Sequence, residues 1–384
     1  MKYLLSTCFV AACLCFGASA PAGTLPPVEK TAARSIAYAG DTARLARVFA
    51  KARSGGDVRI LVIGGSITEG ARASTAERRW GETVSADFQK RFPQAKVLFK
   101  NVAIGATGSA IGTFRAARDI APFKPDLVGV EFSVNDSDNR FSGETMEGLL
   151  RQILSAPEQP AVFMLGMMGQ TGGNAQSAHL PVARHYGVPY ISYRDALLPD
   201  MKAGAFVWTD ISPDTIHPND IGHAYAAALV TSYLFANLDA KSEPLKPLPA
   251  PLYGSTFEKG TLTQTVDWKL VENVGFTPAK ENRWGMGLQG AKKGDRLVFD
   301  VDAATVAILW RRGKLPFGKA RVTVDGREVC TLDGFADQWW WHTPFQLLVR
   351  DQPGVHRVVV ECIGGRNPAS EGDGFRVCAI LTSR

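Results

Sequence analysis

The chain has 384 residues, of which 45% are hydrophobic, and this is enough for two domains that each bury a core. Its 43 lysines and arginines exceed its 37 acidic residues, and the resulting net charge of +6 is mild for the length. Because the basic residues form no block, the composition gives no indication of a nucleic-acid partner, although it is compatible with an acidic polysaccharide.

The first 22 residues have the features of a secretory signal peptide. Lys2 precedes an apolar run over residues 3–18, and small residues follow up to Ala22. The run is too short, and too abruptly followed by proline and glycine, to span a membrane. We therefore predict that residues 1–22 are removed and that the chain is exported to the periplasm or beyond the cell, with no stable membrane span. Lipid attachment at Cys13, which ends a stretch resembling a lipoprotein box, is the less favoured alternative.

Removal of the leader leaves three cysteines, at positions 330, 362 and 378. An exported protein could pair two of them. The odd number and the absence of a metal-like spacing favour buried free thiols over a disulfide framework.

Between residues 42 and 238, short apolar strands alternate with segments of helical periodicity. Each predicted strand ends in glycine or polar residues, and the five strands lie at residues 58–63, 97–99, 125–136, 161–165 and 189–192. The predicted helices lie at residues 42–52, 80–92, 144–154 and 220–238, with shorter helical segments near 111–117 and 182–186. This alternation predicts a three-layer α/β domain over residues 23–241, with a parallel sheet covered by helices on both faces.

A connector at residues 242–251 contains four prolines and is predicted to be extended and semi-rigid. Beyond it the periodicity changes to that of strands, at residues 296–301, 305–310, 320–326 and 356–362. Asp325-Gly326 lies between two such segments and is a strong hairpin-turn signal. We therefore predict an antiparallel, jelly-roll-like β-sandwich over residues 252–384.

The first predicted strand ends at Gly64-Gly65 and is followed by Ser66. Two glycines permit a sharp turn and close approaches, so the hydroxyl of Ser66 can lie at the carboxyl end of a sheet, where α/β folds bind their ligands. A plain Gly-Ser turn without a chemical role is the alternative for this stretch taken alone.

A serine hydroxyl is a poor nucleophile at neutral pH and needs a base within hydrogen-bonding distance. His217 is the candidate, because imidazole takes up and releases protons near neutral pH. Asp214 precedes it by three residues, so one turn of chain can bring its carboxylate to the ring nitrogen that faces away from Ser66.

Four stretches, in order, resemble the four sequence blocks of the SGNH (GDSL-like) hydrolase family. The stretches are residues 64–68, 101–108, 133–136 and 214–219, and the resemblance extends over about residues 57–237. It implies a serine esterase on a flavodoxin-like parallel sheet, with Ser66, His217 and Asp214 as catalytic residues.

The resemblance also implies an oxyanion hole with three hydrogen-bond donors. These are the backbone N–H of Ser66, a backbone N–H in the second block and the side-chain amide of Asn135. The second-block donor is assigned to Gly105, with Ala106 as the open alternative, since a backbone donor does not require glycine.

The chain departs from the family pattern at two places. Gly64-Gly65-Ser66 stands where the family often has Gly-Asp-Ser, and residues 133–136, Ser-Val-Asn-Asp, stand where it has Gly-x-Asn-Asp. Neither departure removes a reacting group, but both leave the shape of the acyl pocket open.

No cofactor or metal ion is predicted, because no His, Cys and carboxylate cluster has metal-ligand spacing and no phosphate-binding loop is present. Residues 339–341, three consecutive tryptophans, could form a sugar-stacking face or pack in the sandwich core. Trp80 follows a segment predicted to run over the rim of the site, where it either packs or contacts substrate.

Export and a second domain favour an esterase that removes O-acetyl groups from a polysaccharide or oligosaccharide, by analogy with multidomain carbohydrate esterases. Alternatives are a lipid esterase or lysophospholipase, an acyltransferase using the same acyl-enzyme, and a carbohydrate-binding surface protein with little turnover. The sequence leaves the oligomeric state open.

Overall fold

The structure is a computed structural model that describes residues 24–281, 283–314, 316–337 and 342–384. The predicted leader, with Cys13, and the tryptophans at 339–341 lie outside the described residues.

Helices occupy α1 (Val28–Ser35), α2 (Ala43–Arg53), α3 (Ser66–Glu69), α4 (Trp80–Arg91), α5 (Ser109–Asp119), α6 (Arg140–Leu154), α7 (Gln176–His185), α8 (Tyr193–Lys202), α9 (Trp208–Ile211) and α10 (Asp220–Ala236). In the first half of the chain, strands occupy β1 (Ile36–Tyr38), β2 (Asp57–Gly64), β3 (Lys96–Asn101), β4 (Leu127–Glu131), β5 (Ala161–Gly166) and β6 (Tyr190–Ser192). In the second half they occupy β7 (Thr261–Gln264), β8 (Leu270–Val274), β9 (Thr277–Glu281), β10 (Gly285–Gly290), β11 (Arg296–Ala303), β12 (Thr305–Trp310), β13 (Lys319–Val324), β14 (Arg327–Asp333), β15 (Phe345–Val349), β16 (Gly354–Cys362) and β17 (Phe375–Ser383).

The strands of the first half form one sheet in the order β1-β6-β5-β4-β2-β3. Strands β2 to β6 are parallel, and β1 pairs antiparallel with β6. Numbered among themselves, the parallel strands have the order 2-1-3-4-5, so the predicted flavodoxin-like sheet is confirmed. The strand order reverses between β2 and β4, and the crevice at their carboxyl ends is where such sheets bind ligands. The three-residue β1 is too short for the sequence pattern to predict.

Helices cover both faces of this sheet, and successive side chains of a strand point to opposite faces. In β2, Ile60 and Val62 belong to a core shared with α2, α4 and α10, whereas Leu61 and Ile63 belong to a core shared with α5 and α6. Burial on both faces explains why residues 60–63 of the strand are an unbroken apolar run.

The strands of the second half form two antiparallel sheets. One has the order β15-β12-β17-β10-β9, with β7 also pairing with β17, and the other has the order β14-β13-β16-β11-β8. Alternate residues of both sheets share one apolar core, which includes Phe299 of β11 and Ile308 of β12. The predicted hairpin joins β13 to β14, with Asp325 and Gly326 at φ angles of 51° and 80° as its turn requires. The predicted sandwich is therefore confirmed.

The outer face of the first of these sheets packs against α5. Ala307 and Leu309 of β12 belong to an apolar cluster with Ile111 and Phe114 of α5. Every residue of β12 is buried, because the strand has the sandwich core on one side and α5 on the other. The antiparallel part is therefore attached to the helix that follows the second sequence block.

The end of the proline-rich connector and the two residues after it are held against α6 and α7. The buried carboxylate of Glu147 accepts hydrogen bonds from the amides of Leu252 and Tyr253 and from the hydroxyl of Tyr186. The carbonyl of Ala250 lies 2.7 Å from Nε2 of His185. These contacts hold the start of the second half against the first.

The three cysteines that follow the predicted leader are free thiols in the structure. Cys362 and Cys378 are buried, as the sequence favours, whereas Cys330 is half-buried. Burial raises the pKa of the Cys362 thiol to about 12, so this side chain is an apolar core residue.

Candidate active site

Two glycines allow the end of β2 to come close to the end of β4. A Cβ atom on Gly64 would lie 2.4 Å from the carbonyl oxygen of Glu131, and one on Gly65 would lie 2.0 Å from Oδ1 of Asn135. Side chains at either position would push the two strand ends apart. Ser66 follows at once as the first residue of α3, partly exposed at the carboxyl edge of the sheet.

The structure brings Ser66, His217 and Asp214 into one hydrogen-bonded chain. Oγ of Ser66 lies 2.8 Å from Nε2 of His217. Nδ1 of the same ring lies 3.1 and 3.2 Å from the two carboxylate oxygens of Asp214. An imidazole in this position can accept the hydroxyl proton, and the carboxylate fixes which ring nitrogen carries the other proton.

The spacing of the fourth block is explained by two local turns around His217. Oδ1 of Asp214 accepts hydrogen bonds from the amides of Ile216 and His217, at 2.9 and 2.7 Å. Asn219 then caps α10, because its Oδ1 accepts from the amides of Ile221 and Gly222. The histidine is thus held between an aspartate turn and a helix cap.

The carboxylate of Asp214 is stabilised in its charged form. Partial burial opposes ionisation, but hydrogen bonds from the amides of His217 and Ile216, from the imidazole and from Arg72 outweigh it and hold the pKa of Asp214 well below its ordinary value. Nε of Arg72 lies 3.0 Å from Oδ2. Arg72 adopts a left-handed φ of 69°, and no sequence pattern connects it to Asp214.

Two of the predicted oxyanion donors have no intramolecular acceptor among the described residues. These are the amide of Ser66, which begins α3, and the side chain of Asn135, which lies exposed against Gly65.

The structure disagrees with the assignment of the second-block donor to Gly105. The amide of Gly105 donates to Oε2 of Glu69 at 2.9 Å, and a donor engaged with a carboxylate is not available to an oxyanion. The amide of the exposed Ala106 has no acceptor among the described residues, and this residue has a left-handed φ of 58°. Ala106, the alternative that the sequence leaves open, is therefore the candidate.

Two charged residues that the sequence analysis does not identify also lie at the site. Glu131 ends β4, is fully buried, and accepts hydrogen bonds from the hydroxyl of Thr68 at 3.1 Å and from the amide of Ser133 at 3.0 Å. Burial raises its pKa to about 7. Arg283, which lies between β9 and β10, has its Nη2 2.7 Å from Oε1 of Glu69. Glu131 could have been found in the sequence, because it is a lone carboxyl residue at the end of an apolar strand. Nothing in the sequence connects Arg283 to Ser66.

Trp80 is fully buried and packs edge-on against Phe163, so it belongs to the core and not to the rim. Within the described ranges, no three His, Cys, Asp or Glu side chains are grouped to hold a metal ion. In the same ranges, no helix is both long enough and apolar enough to cross a bilayer.

Residues 62–225, which include Ser66 and His217, match the GDSL-like lipase/acylhydrolase family. The chain is also similar to the crystal structure of a two-domain esterase (CEX) active on acetylated mannans, with 32% identity, a TM-score of 0.86 and coverage of 92% of this chain and 98% of the other. A structure described as the same kind of esterase, co-crystallised with mannopentaose, gives 33% identity, a TM-score of 0.85 and coverage of 92% and 97%. A search of curated protein sequences finds no significant match. The match to the family and the full-length likeness, taken with the geometry of the site, mean that this chain belongs to the GDSL-like lipase/acylhydrolase family, the SGNH hydrolases.

Proposed function

We propose that the protein is a serine esterase that removes acetyl groups from a polysaccharide through an acyl-enzyme on Ser66. The observation that carries this proposal is the hydrogen-bonded chain from Oγ of Ser66 through the ring of His217 to Asp214. In the first half-reaction, Oγ attacks the acetyl carbonyl carbon and its proton passes to Nε2 of His217. Collapse of the tetrahedral intermediate breaks the bond to the sugar oxygen, which takes that proton and leaves as an alcohol.

The second half-reaction returns the enzyme to its starting state. A water molecule attacks the acetyl group on Ser66 while Nε2 of His217 takes one of its protons. The second tetrahedral intermediate then expels Oγ, which recovers a proton from the imidazolium, and acetate is released. Throughout, Asp214 holds the ring orientation and stabilises its charged form.

The negative charge of both tetrahedral intermediates is met by three donors. We assign them to the amides of Ser66 and Ala106 and to the side-chain amide of Asn135. Asn135 lies against Gly65, and a Cβ atom on Gly105, which precedes Ala106, would lie 3.5 Å from Cβ of Ser66. Fixed donors of this kind each lower the barrier by about 3 kcal/mol, because they need no reorganisation as the charge develops.

A carbohydrate ester fits the charges around Ser66. Glu69 and Arg283 are both partly exposed beside the nucleophile and can bind sugar hydroxyls, whereas a long acyl chain would have to lie against charged groups. The full-length relative described as active on acetylated mannans makes O-acetylated mannan the first substrate to test.

We also propose that residues 1–22 are a leader, since a polymeric substrate is met outside the cytoplasm, and that residues 242–251 connect an esterase domain to the sandwich. Detection of the mature amino terminus after expression with the full leader tests the first proposal. A mature chain that still begins at Met1 would contradict it.

The function is tested by acetate release from a panel of acetylated plant and bacterial polysaccharides. Wild type is expected to release acetate, and Ser66→Ala is expected to lose at least about a thousandfold in turnover. Parallel assays with acetyl and octanoyl nitrophenyl esters address the lipid-esterase alternative. A strong preference for the octanoyl ester, or glycan binding without turnover, would contradict the proposal.

A further inference from the structure

Arg283 is held in place by buried contacts on both sides of it in the chain. Before it, the buried carboxylate of Glu281 pairs with Arg311 and with Arg376, at 2.8 and 2.7 Å. After it, the buried indole of Trp284 donates a hydrogen bond to Thr343 at 2.9 Å. Glu281 and Trp284 therefore anchor the chain to the sandwich on both sides of Arg283.

Trp284 also packs against α5, the helix that follows the second sequence block. The guanidinium of Arg118, on α5, lies 5.5 Å from the centre of the Trp284 ring. Trp284 also belongs to the apolar cluster that includes Ile104 and Ile111. The backbone next to Arg283 is thus fixed relative to residues 104–111.

Arg283 and Glu69 together hold both peptide groups of Gly105. One carboxylate oxygen of Glu69 accepts from Arg283, and the other accepts from the amide of Gly105 at 2.9 Å. Nη1 of Arg283 lies 3.4 Å from the carbonyl oxygen of Gly105, which is a long hydrogen bond but one with a charged donor.

The carbonyl of Gly105 and the amide of Ala106 belong to the same peptide unit. Because that unit is planar and trans, its C=O and N–H point in opposite directions. A cation that holds the carbonyl of Gly105 therefore also fixes the direction of the Ala106 N–H, the second-block donor proposed above.

The peptide between Gly105 and Ala106 has a competing orientation. Turning it over exchanges its C=O and N–H and changes only ψ of Gly105 and φ of Ala106. Because Ala106 has a left-handed φ of 58°, which costs an L-residue about 1–2 kcal/mol, turning the peptide over relieves strain and would aim a carbonyl where the donor should be. Something has to hold the productive orientation.

We propose that Arg283 of the sandwich and Glu69 of α3 are positioning residues that keep the Gly105–Ala106 peptide turned with its N–H toward the oxyanion. The proposal rests on the proposed function. It gives the second half of the chain a part in the chemical step that is separate from binding carbohydrate.

The test uses p-nitrophenyl acetate, which has no sugar to bind, beside the acetylated polysaccharide. Loss of an oxyanion donor costs about 10²–10³ in kcat. With part of the population still in the productive orientation, Arg283→Ala is expected to lower kcat on the small ester about 10- to 100-fold, with KM within about twofold. Arg296→Ala is the matched control, because Arg296 forms a similarly exposed ion pair with Glu272 on the other sheet. It is expected to change neither constant.

A rescue variant separates positioning from a general loss of structure. Glycine adopts left-handed and right-handed φ equally well, so Ala106→Gly removes the strain that favours the turned peptide. In the Arg283→Ala background, it is expected to raise kcat at least several-fold, and the two substitutions are expected to be non-additive. An exposed ion pair contributes little to folding, so the thermal midpoint should change by only a few degrees in Arg283→Ala.

Several results would overturn the proposal. An effect confined to KM on the polysaccharide would make Arg283 a substrate-binding residue, and failure of Ala106→Gly to rescue would remove the peptide from the explanation. A crystal structure of Arg283→Ala needs no activity and therefore distinguishes this proposal from the proposed function. The carbonyl of Gly105 is expected to face Ser66 there, and an unchanged peptide would contradict the proposal even if wild type proves to be an esterase.

Discussion

The carboxyl group of Glu131 lies beneath the site, where its protonation is coupled to folding. It accepts hydrogen bonds from Thr68, two residues after the nucleophile, and from Ser133, two residues before Asn135. The hydroxyl of Ser133 has one proton to donate, but two acceptor oxygens lie 3.0 Å from it. These are a carboxyl oxygen of Glu131 and the backbone carbonyl oxygen of Met167. When it donates to Met167, a protonated Glu131 supplies the other hydrogen.

The pH dependence follows from the raised pKa of Glu131, about 7 in the folded chain against an ordinary 4.5. Between these values the folded chain holds a proton that the unfolded chain has released, so stability is fully present below pH 4.5 and is lost as the pH rises through about 7. Within this window the free energy of unfolding falls by about 1.4 kcal/mol for each pH unit, and by about 3 kcal/mol over the whole window. Wild type should therefore become less stable with rising pH because of this one group.

Glu131→Gln keeps the shape of the side chain and removes its titration. Urea unfolding of wild type and variant at about pH 5 and pH 8 gives two differences in the free energy of unfolding, in which all other titrating groups cancel. Wild type is expected to lose about 2–3 kcal/mol relative to Glu131→Gln between the two pH values, with unchanged urea dependence. Glu243→Gln, in the exposed connector, controls for the loss of a carboxyl group. A difference that stays constant with pH would refute the reasoning.

Two further substitutions test the surroundings of the nucleophile, and a third tests the contact between α6 and the chain that follows the proline-rich stretch. Asp214→Asn should lower kcat about 10³- to 10⁴-fold at any assay pH, because the low pKa of Asp214 keeps its carboxylate ionised over the whole assay range. A loss of activity confined to acidic pH would contradict this. Gly65→Ala should lower kcat about 100-fold, because the added Cβ atom would displace the side chain of Asn135. Gly173→Ala is the control and should leave kcat unchanged, because its Cβ atom would meet nothing closer than 3.6 Å. Glu147→Ala should lower the free energy of unfolding by about 3 kcal/mol in urea, because it removes the buried acceptor of the Leu252 and Tyr253 amides and of the Tyr186 hydroxyl. A change below about 1 kcal/mol would contradict this.

The sequence predicts the parts of the site that depend on local chemistry. Ser66 follows a strand and a glycine pair, and Asp214 and His217 lie within one turn of each other, so both can be identified from short stretches. The second-block donor cannot be identified in this way. Whether Gly105 or Ala106 has a free amide depends on where the side chain of Glu69 points, which is a tertiary contact.

The five parallel strands are predictable because each contains a short apolar run between turn residues, whereas half-exposed strands such as β8 and β14 lack that signal. The contact between the two parts of the chain did leave a trace. In β12 the run Thr305–Trp310 does not alternate as a sandwich strand exposed on one face should, because its second face packs on α5. The role of Arg283 leaves no such trace in the sequence, because its partner Glu69 is more than two hundred residues away in the chain.

The central claim is that acetyl groups pass through Ser66. Rapid quenching of the reaction with p-nitrophenyl acetate, followed by mass spectrometry of peptides, tests this most directly. The account predicts one acetyl group on the peptide that contains Ser66, at a level that falls when His217 is changed to alanine. Turnover without acetylation of Ser66, or with the acetyl group on another residue, would contradict it.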